Sequence, residues 1–303
     1  MFCLKPSKTF AWYLVICSAL CFTQLTLAQT NVVTFVIDGN LTQPTAINDQ
    51  GVVIGALGGY EISPVWTFVR SPDGQASWFQ VQVGTCPTGA QITSGNDINN
   101  LGMIIGNTEC MTEEGAFAYL RLPSGEIVHL TDPLGWVRPL GINDRGDIVG
   151  TVRNFSSGLE SGFVRDIAGQ TTYLSYGTST VSPVAINNHR VIVGTINDSG
   201  FVYRHGKFKI VNYTVQGQKT TTVFLDINDR GDILGYYLQA TSTTRHTFVL
   251  HGAKFKSLTL PPNSIATRFN SEGDVVGIVS RDEPPCCIGF ISYGLAQSRA
   301  GHD

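Results

Sequence analysis

One phrase recurs six times along this 303-residue chain, and its spacing limits the possible folds more than any other feature. The first copy occupies residues 46–55 and reads AINDQGVVIG. The asparagines that mark the copies are separated by 51, 44, 44, 41 and 42 residues: Asn48, Asn99, Asn143, Asn187, Asn228 and Asn270. A period of this length is typical of one four-stranded blade of a β-propeller.

Two glycines hold fixed places in the phrase. One follows the asparagine by three residues in five copies, and the other follows it by seven in all six. The first predicts a tight hairpin, since Asn can bond its own backbone and Gly accepts a positive φ. The second lies within an apolar strand, which indicates that another backbone comes close, and we expect crowding near the propeller axis to supply it.

The fourth copy departs from this pattern because Arg190 stands where the other copies have the first glycine. A left-handed conformation costs a non-glycine residue roughly 1 kcal/mol. The sequence therefore predicts that this turn adopts another geometry, and local variation of the turn is the ordinary explanation. A functional interpretation makes His189 and Arg190 an exposed pair for an anion.

A second apolar alternation follows each asparagine hairpin, as in residues 66–70 and 201–204, so that each repeat contains two hairpins or four strands. The last repeat stops after 290–293, one strand short, while residues 31–37 precede the first repeat. The sequence predicts an all-β, six-bladed β-propeller closed by an N-terminal strand that completes the last blade. An open β-solenoid or a pair of β-sandwiches is the alternative architecture.

The first 28 residues have the pattern of a secretory signal peptide. Lys5 and Lys8 precede an apolar stretch at 11–22, and a cleavage site lies before Gln29. The apolar stretch is shorter than the roughly 20 residues that a membrane span requires. We therefore expect a secreted or periplasmic protein with one propeller domain at 29–294 and a flexible tail at 295–303.

Charge excludes one class of partner. The chain has 20 basic and 23 acidic residues, and removal of residues 1–28 takes away two lysines and no acid, which leaves 18 against 23 and a net charge of −5. Nucleic-acid binding depends on clustered Lys and Arg, so the sequence indicates no nucleic-acid partner. We also expect that the mature chain has no transmembrane span and that the protein is a monomer.

Four cysteines remain after the signal peptide: Cys86, Cys110, Cys286 and Cys287. An even number in an exported protein indicates disulfides, and four cysteines allow three pairings. We predict a Cys86–Cys110 bridge, because both residues flank the strands around Asn99. The adjacent pair has three alternatives: a vicinal disulfide, two thiols, or a cross-link elsewhere.

Strand direction sorts the loops onto two faces. The asparagine hairpins lie on one side, the hairpin face, and the long, variable connections lie on the other, the connecting face. Function usually resides in variable loops on a rigid scaffold. Aromatic and charged residues there are candidate contacts for a carbohydrate or an extracellular protein. The candidates are Tyr60, Trp66, Glu113, Glu114, Asp132, Trp136 and Arg138, with Glu61, Glu109, Tyr236, Tyr237, Arg281, Asp282 and Glu283 on the same face.

Catalytic signals are weaker. Residues 226–232 resemble the start of a calcium loop, but Arg230 occupies an oxygen-ligand position. The sequence assigns no catalytic, metal or cofactor-binding residue. It predicts a non-catalytic binding or scaffold propeller. The alternative is an extracellular carbohydrate-active hydrolase or lyase, for which the connecting face supplies carboxylates but no known separation.

The phrase at 226–235 and His246-Thr247-Phe248 resemble the bacterial extracellular HAF-repeat family. Its copies combine an Ile-Asn-x-x-Gly-x-Ile-Val-Gly phrase with a His-Ala-Phe phrase. The first phrase is kept through almost the whole mature chain, whereas the other copies of the second keep the Phe and lose the His. The resemblance implies export and a repeat fold, and it brings no reaction or ligand with it.

Overall fold

A computed structural model describes residues 31–58, 65–86, 91–110, 116–240, 242–282 and 287–296. Outside these ranges lie the predicted signal peptide, Tyr60, Glu61, Glu113, Glu114, Glu283 and Cys286. Of the predicted tail, Leu295 and Ala296 are described. Ala296 is buried and donates its backbone N–H to Gly273 O at 2.9 Å, so this residue of the predicted tail contacts the last blade.

The described residues form strands and no helix, and thus contain no helix with the length and apolarity to cross a membrane. The strands of the first three blades are β2 (Leu41–Ile47), β3 (Val53–Gly58), β4 (Val65–Arg70), β5 (Ala76–Phe79), β6 (Gln91–Ile98), β7 (Ile104–Cys110), β8 (Ala116–Arg121), β9 (Ile127–Leu130), β10 (Gly135–Ile142), β11 (Ile148–Asn154), β12 (Glu160–Arg165) and β13 (Thr171–Leu174).

The last three blades contain β14 (Val181–Ile186), β15 (Ile192–Ile196), β16 (Ser199–Arg204), β17 (Lys207–Val211), β20 (Thr221–Ile227), β21 (Ile233–Leu238), β22 (His246–His251), β23 (Lys254–Ser257), β24 (Ser264–Phe269), β25 (Val275–Ser280), β26 (Cys287–Tyr293) and the N-terminal β1 (Asn31–Phe35). A small hairpin, β18 (Thr214–Val215) and β19 (Gln218–Lys219), precedes blade five.

Sheet order confirms the predicted propeller. Within the described ranges the strands form six four-stranded antiparallel units, and one parallel bridge between Val65 and Ile92 links the first two. The last unit has the order β1-β26-β25-β24, with Asn31 opposite Tyr293 and Phe35 opposite Gly289. The N-terminal strand therefore completes the last blade, as the sequence predicts.

Five of the six repeated asparagines serve both their own turn and the next blade, and the exception is Asn228, whose amide donates to Asp232 of its own turn. The Asn99 side-chain oxygen accepts the N–H groups of Leu101 at 3.1 Å and Met103 at 2.9 Å. Its amide nitrogen donates to Asn143 O in the following blade at 2.9 Å. The same donation joins the last blade to the first, from Asn270 to Asn48 O at 3.2 Å. The predicted turn role is confirmed, and a bond between blades is added to it.

The glycine seven residues after each asparagine lies opposite a β-bulge in the innermost strand. In blade three, pairing passes from Pro139 to Gly141 and leaves Leu140 out, and Gly150 faces Pro139. A Cβ on Gly150 would overlap the carbonyl oxygen of Arg138. Close backbone approach is thus confirmed, and the backbone that approaches is the innermost strand of the same blade.

An aromatic ring faces each of these glycines from the third strand of the blade. All six rings are at most 2% exposed: Phe68, Tyr119, Phe163, Phe201, Phe248 and Phe290. In blade two Tyr119 pairs with Gly106, so Tyr119, two residues beyond the Phe117 of the degenerate second phrase, fills the conserved core position. The Phe of the second phrase is therefore a core residue in the other five blades.

The prediction of another turn geometry at Arg190 is wrong. Its φ is 58°, and its N–H donates to Asn187 O at 2.9 Å, as the glycines do in the other copies. The guanidinium group holds the buried Asp147 of the preceding blade with two bonds of 2.7 and 2.9 Å. This bidentate pair offsets the left-handed strain, and it engages the group that the functional interpretation assigns to an anion.

The predicted disulfide between Cys86 and Cys110 is present, with Cα atoms 5.8 Å apart. Cys86 lies in the connection from blade one to blade two, and Cys110 ends β7. Both sulfur-bearing residues are buried beside Val83 and Phe117. The bridge ties a long connection to the blade that it enters, while Cys287 begins β26 in the last blade.

Candidate functional site

A ring of polar side chains encircles the axis on the hairpin face, contributed by the residue after each repeated asparagine. Asn100 donates to Asp49 at 3.1 Å and to Asp144 at 3.0 Å, and Asn188 donates to Asp144 and Asp229 at 2.7 Å. Carboxylates in blades one, three and five thus alternate with amides in blades two and four. These carboxylates hold neighbouring blades together, and no metal-binding group of three or more acidic, His or Cys residues occurs in the described ranges.

Two acids, Asp97 and Asp226, line the axis behind this ring. Each accepts the N–H of the next residue and one N–H from the following blade, at 2.8–3.0 Å: Ile98 and Ile142 for Asp97, Ile227 and Phe269 for Asp226. Burial raises the pKa of Asp97 to about 6 and that of Asp226 to about 7, although the charge of Arg268 opposes both shifts. The two acids therefore titrate near neutral pH.

Arg268 reaches from blade six across the axis. Its guanidinium group donates to three carbonyl oxygens of bulged residues, at distances of 2.6, 2.9 and 3.3 Å: Leu225, Leu140 and Val184. Nε is buried without a hydrogen-bond partner among the described residues. Arg268 thus ties blade six to blades three, four and five at the centre of the ring.

The axial space lined by Asp97, Asp226 and the polar ring has a volume of about 70 Å³. A cavity of this size accommodates a few water molecules, each of which needs roughly 10–15 Å³ by the same measure. Sites for small organic ligands are much larger, about 300–1,000 Å³. The acids with raised pKa values therefore lie where a sugar ring does not fit.

We expect the free energy of unfolding to fall as the pH rises from about 4 to about 7. The folded pKa values of Asp97 and Asp226 exceed the ordinary 3.8, so in this range the folded chain keeps protons that the unfolded chain has lost. The stabilisation that proton binding by Asp97 and Asp226 gives the folded state is complete below the pKa of these acids in the unfolded chain. It is lost as the pH rises above their pKa in the folded chain. Asp226→Asn should remove roughly 2–4 kcal/mol of this pH dependence.

Urea unfolding of wild type and Asp226→Asn at pH 4.5, 6 and 8 measures the effect. Asp38→Asn is the control, since Asp38 is exposed and its side chain makes no hydrogen bond within the described residues. Equal slopes of stability against pH in wild type and Asp226→Asn would contradict the assignment.

Two of the predicted ligand contacts are engaged within the fold. Trp66 is half-buried on β4 and packs against the cluster that contains Leu57 and Phe68. The Asp132 carboxylate accepts the Tyr173 hydroxyl at 2.7 Å and pairs with Arg165 at 3.3 Å. Burial, then the bond and charge of Asp132, raise the pKa of Tyr173 to about 12.

The structure brings two other candidates together. Trp136 and Arg138 are alternate residues of β10 and line a cavity of about 230 Å³ between blades two and three, together with Glu109. The indole nitrogen of Trp136 is buried without a hydrogen-bond partner among the described residues. Trp66 and Asp132 do not line this cavity.

A larger cleft opens between blades five and six on the connecting face, with a volume of about 810 Å³. Three segments form it: the connection into β22, the connection from β23 to β24, and the end of β25. Its chemically distinctive lining residues are Tyr237, Arg245, His246, Asn263, Arg281 and Asp282.

Stacked rings lie at one edge of this cleft, on the side of blade five that faces blade four. Tyr237 lies between Tyr213, with centroids 4.0 Å apart and planes 5° apart, and His246, at 4.8 Å and 17°. Burial, then the neighbouring Tyr213, raise the pKa of the Tyr237 phenol. On the other face of the sheet, towards blade six, the Arg245 guanidinium lies 4.7 Å from the centre of the Tyr236 ring. The rings at this edge are thus fixed by their own contacts.

Sequence reasoning placed Tyr236, Tyr237, Arg281 and Asp282 on this face but missed Arg245. It noticed His246 only as part of a degenerate phrase, although the fifth repeat alone keeps the His there. Asp97, Asp226 and Arg268 were also missed. Comparison of the six copies with one another would have found them, because the same position holds Ala46, Gly141 and Ala185 in the other three.

Comparisons with known proteins identify the fold. No family model and no curated protein matches the chain. Among solved structures it is similar to a streptogramin B lyase, with 13% identity, a TM-score of 0.51, and coverage of 86% of this chain and 97% of that chain.

Two gluconolactonases are similar as well. A putative one has 14% identity, a TM-score of 0.53 and coverage of 89% of this chain and 94% of its own. One from Xanthomonas campestris has 12% identity, a TM-score of 0.53 and coverage of 88% and 91%. At these identities the likeness shows a β-propeller fold, and membership of the HAF-repeat family stays a prediction.

Proposed function

We propose that this protein is an exported, non-catalytic binding propeller that holds a carbohydrate in the cleft between blades five and six. The observation that carries the proposal is the cleft itself, whose volume of about 810 Å³ lies within the range of small-molecule sites. The Cys86–Cys110 disulfide and the signal-like residues 1–28 support export.

The lining of the cleft suits a sugar better than an apolar ligand. His246 and the edge of the Tyr237 stack offer a rigid aromatic surface, and rigid rings bind at low entropic cost. Around them the lining is rich in hydroxyl and amide groups: Thr243, Thr244, Thr247, Ser257, Asn263, Ser264 and Ser280. Carbohydrates present the complementary combination of C–H faces and hydroxyl groups.

Binding is favoured over hydrolysis because of where the acids lie. Glycosidases use two carboxyl groups about 5–10 Å apart across the scissile bond. Among the described residues that line the cleft, Asp282 is the one carboxyl group. The acids with pKa values near neutrality, Asp97 and Asp226, line the small axial space instead. Hydrolase or lyase activity remains the alternative outcome of the experiment below.

We expect His246→Ala to weaken carbohydrate binding about tenfold or more, because it removes the ring that ends the stack at the cleft. Trp136→Phe should leave the affinity within twofold, since Trp136 belongs to the cavity between blades two and three. A panel of soluble polysaccharides, screened by affinity electrophoresis and followed by calorimetry on the best oligosaccharide, measures both. Released reducing ends are assayed in the same samples.

The outcomes separate the alternatives. Thermal unfolding of both variants shows that the fold is kept. Loss of affinity in Trp136→Phe with full affinity in His246→Ala would move the site to the other cavity. Release of reducing ends would show that the protein is a hydrolase or lyase and not a binding protein. The absence of any carbohydrate binding would exclude the proposal.

A further inference from the structure

We infer that the ligand of this cleft is an acidic oligosaccharide, whose carboxylate or sulfate groups are held by Arg245 and Arg281. This inference rests on the proposed function and specifies the chemical class of the carbohydrate ligand. It concerns the charge of the ligand, which the aromatic edge and the hydroxyl groups of the lining do not decide.

The charge of the cleft is opposite to that of the whole chain. The chain carries a formal net charge of −3. Among the described residues, the cleft is lined by two arginines, Arg245 and Arg281, against a single carboxyl group, that of Asp282. A concave surface that concentrates one sign of charge focuses the field and attracts ligands of the other sign. The net-acidic chain thus presents a locally basic cleft.

Neither cleft arginine is neutralised by the protein within the described ranges. Three other arginines make ion pairs with acids: Arg165 with Asp132, Arg190 with Asp147 and Arg230 with Asp232. Arg245 and Arg281 are exposed and form no such pair. Unpaired arginines also occur elsewhere on the surface, as at Arg204, but these two line the same concave site.

Arg245 is also held in place before any ligand arrives. Its guanidinium group lies over the Tyr236 ring, an arrangement that fixes the plane of the group while its N–H edge stays available. A planar guanidinium edge matches a carboxylate or sulfate through two parallel hydrogen bonds. Arg281 enters the same cleft from the end of β25, so a second anionic group or the same one can be bound from the opposite wall.

The size of the expected preference follows from the kind of bond. Hydrogen bonds to charged groups contribute more than neutral ones, and the loss of one typically changes affinity about tenfold. Esterification of the acid removes the charge while it keeps the sugar skeleton. We therefore expect an oligogalacturonide trimer to bind at least tenfold more tightly than its fully methyl-esterified form.

Calorimetry at low ionic strength tests this with four probes: the oligogalacturonide trimer, its methyl ester, neutral cellotriose and a sulfated disaccharide. Arg245→Gln and Arg281→Gln should each reduce the preference of acid over ester to threefold or less. Arg204→Gln is the matched control, because Arg204 is exposed at the end of β16 on the hairpin face. Added salt should weaken binding of the acidic probes and leave the neutral ones unchanged.

The results distinguish this inference from the proposed function. Tighter binding of the trimer, or of the sulfated disaccharide, than of the neutral probes supports an acidic ligand. Which of these two acidic probes binds more tightly shows whether the cleft prefers a carboxylate or a sulfate group. Equal affinity for acid and ester, or a preference unchanged in both cleft variants, overturns the acidic class while carbohydrate binding stands. If none of these probes and none of the polysaccharides binds, both the inference and the proposed function fail.

Discussion

Gly55→Ala is expected to destabilise the propeller by about 3 kcal/mol or more, or to prevent folding, although it adds one methyl group. A Cβ at this position would overlap the carbonyl oxygen of Gln43 and lie 2.7 Å from Pro44 Cα and from the Phe68 ring. Two of these three neighbours are backbone atoms of the bulged innermost strand, which cannot move without breaking the pairing of the blade. Thermal or urea unfolding measures the loss.

The matched control lies three residues away on the same strand. Among the described residues, a Cβ on Gly58 would make one ordinary contact, 3.5 Å from Val65. Gly58→Ala should therefore change the free energy of unfolding by less than about 1 kcal/mol. If Gly55→Ala were as stable as Gly58→Ala, the close approach at the bulge would not be the reason that all six repeats keep this glycine.

The repeated residues build the scaffold, and the departures from the repeat supply the chemistry. The asparagines, the glycines opposite the bulges and the third-strand aromatics are buried in every blade and bond to the chain itself. The groups that are free to meet a ligand belong to single repeats, as with Trp136 in blade three and Arg245 and His246 in blade five. The candidate functional residues are therefore found at positions where the six repeats differ from one another.

The fold could be predicted because its determinants are local and repeated. Asn48 and Gly51 specify their hairpin by bonds within a few residues, and the period between copies gives the blade. The bulge was not predicted, because the sequence signal lies on the partner strand, in the glycine that faces it. The left-handed conformation of Arg190 was not predicted either, because the residue that offsets its strain, Asp147, lies 43 positions earlier in the sequence.

The site could be predicted only as far as its face of the propeller. The cleft extends from the end of β21 to the end of β25, so that Tyr237 and Arg281 line the same cavity through the packing of two blades. Loop length and strand direction place both residues on the connecting face, but no spacing in the sequence says which blades open a cleft between them. Asp132 shows the converse, since an acid in a suitable loop proves to be bonded to Tyr173 and Arg165.

Asn99→Ala is expected to cost about 3 kcal/mol, since one substitution removes both the turn bonds and the bond between blades. The N–H groups of Leu101 and Met103 and the carbonyl of Asn143 would lose a partner. Asn99 and Asn143 are 4% and 3% exposed, whereas Leu101 is 56% exposed, so the cost falls mainly on the bonds of Met103 and Asn143. Each unsatisfied buried group costs about 1–3 kcal/mol, and the effects are not additive. Urea unfolding at pH 7 measures the sum.

Asn99→Asp separates the two roles, because it keeps the oxygen that accepts from Leu101 and Met103 and replaces the donor to Asn143. At pH 7 the new carboxylate would face the Asn143 carbonyl oxygen and destabilise the variant. At pH 4 a protonated carboxyl group can donate to the same oxygen, so the deficit relative to wild type should shrink as the pH falls, whereas that of Asn99→Ala should change little. A deficit of Asn99→Asp that is small at both pH values would mean that the amide bond from blade to blade contributes little, and that the asparagine is kept for its turn alone.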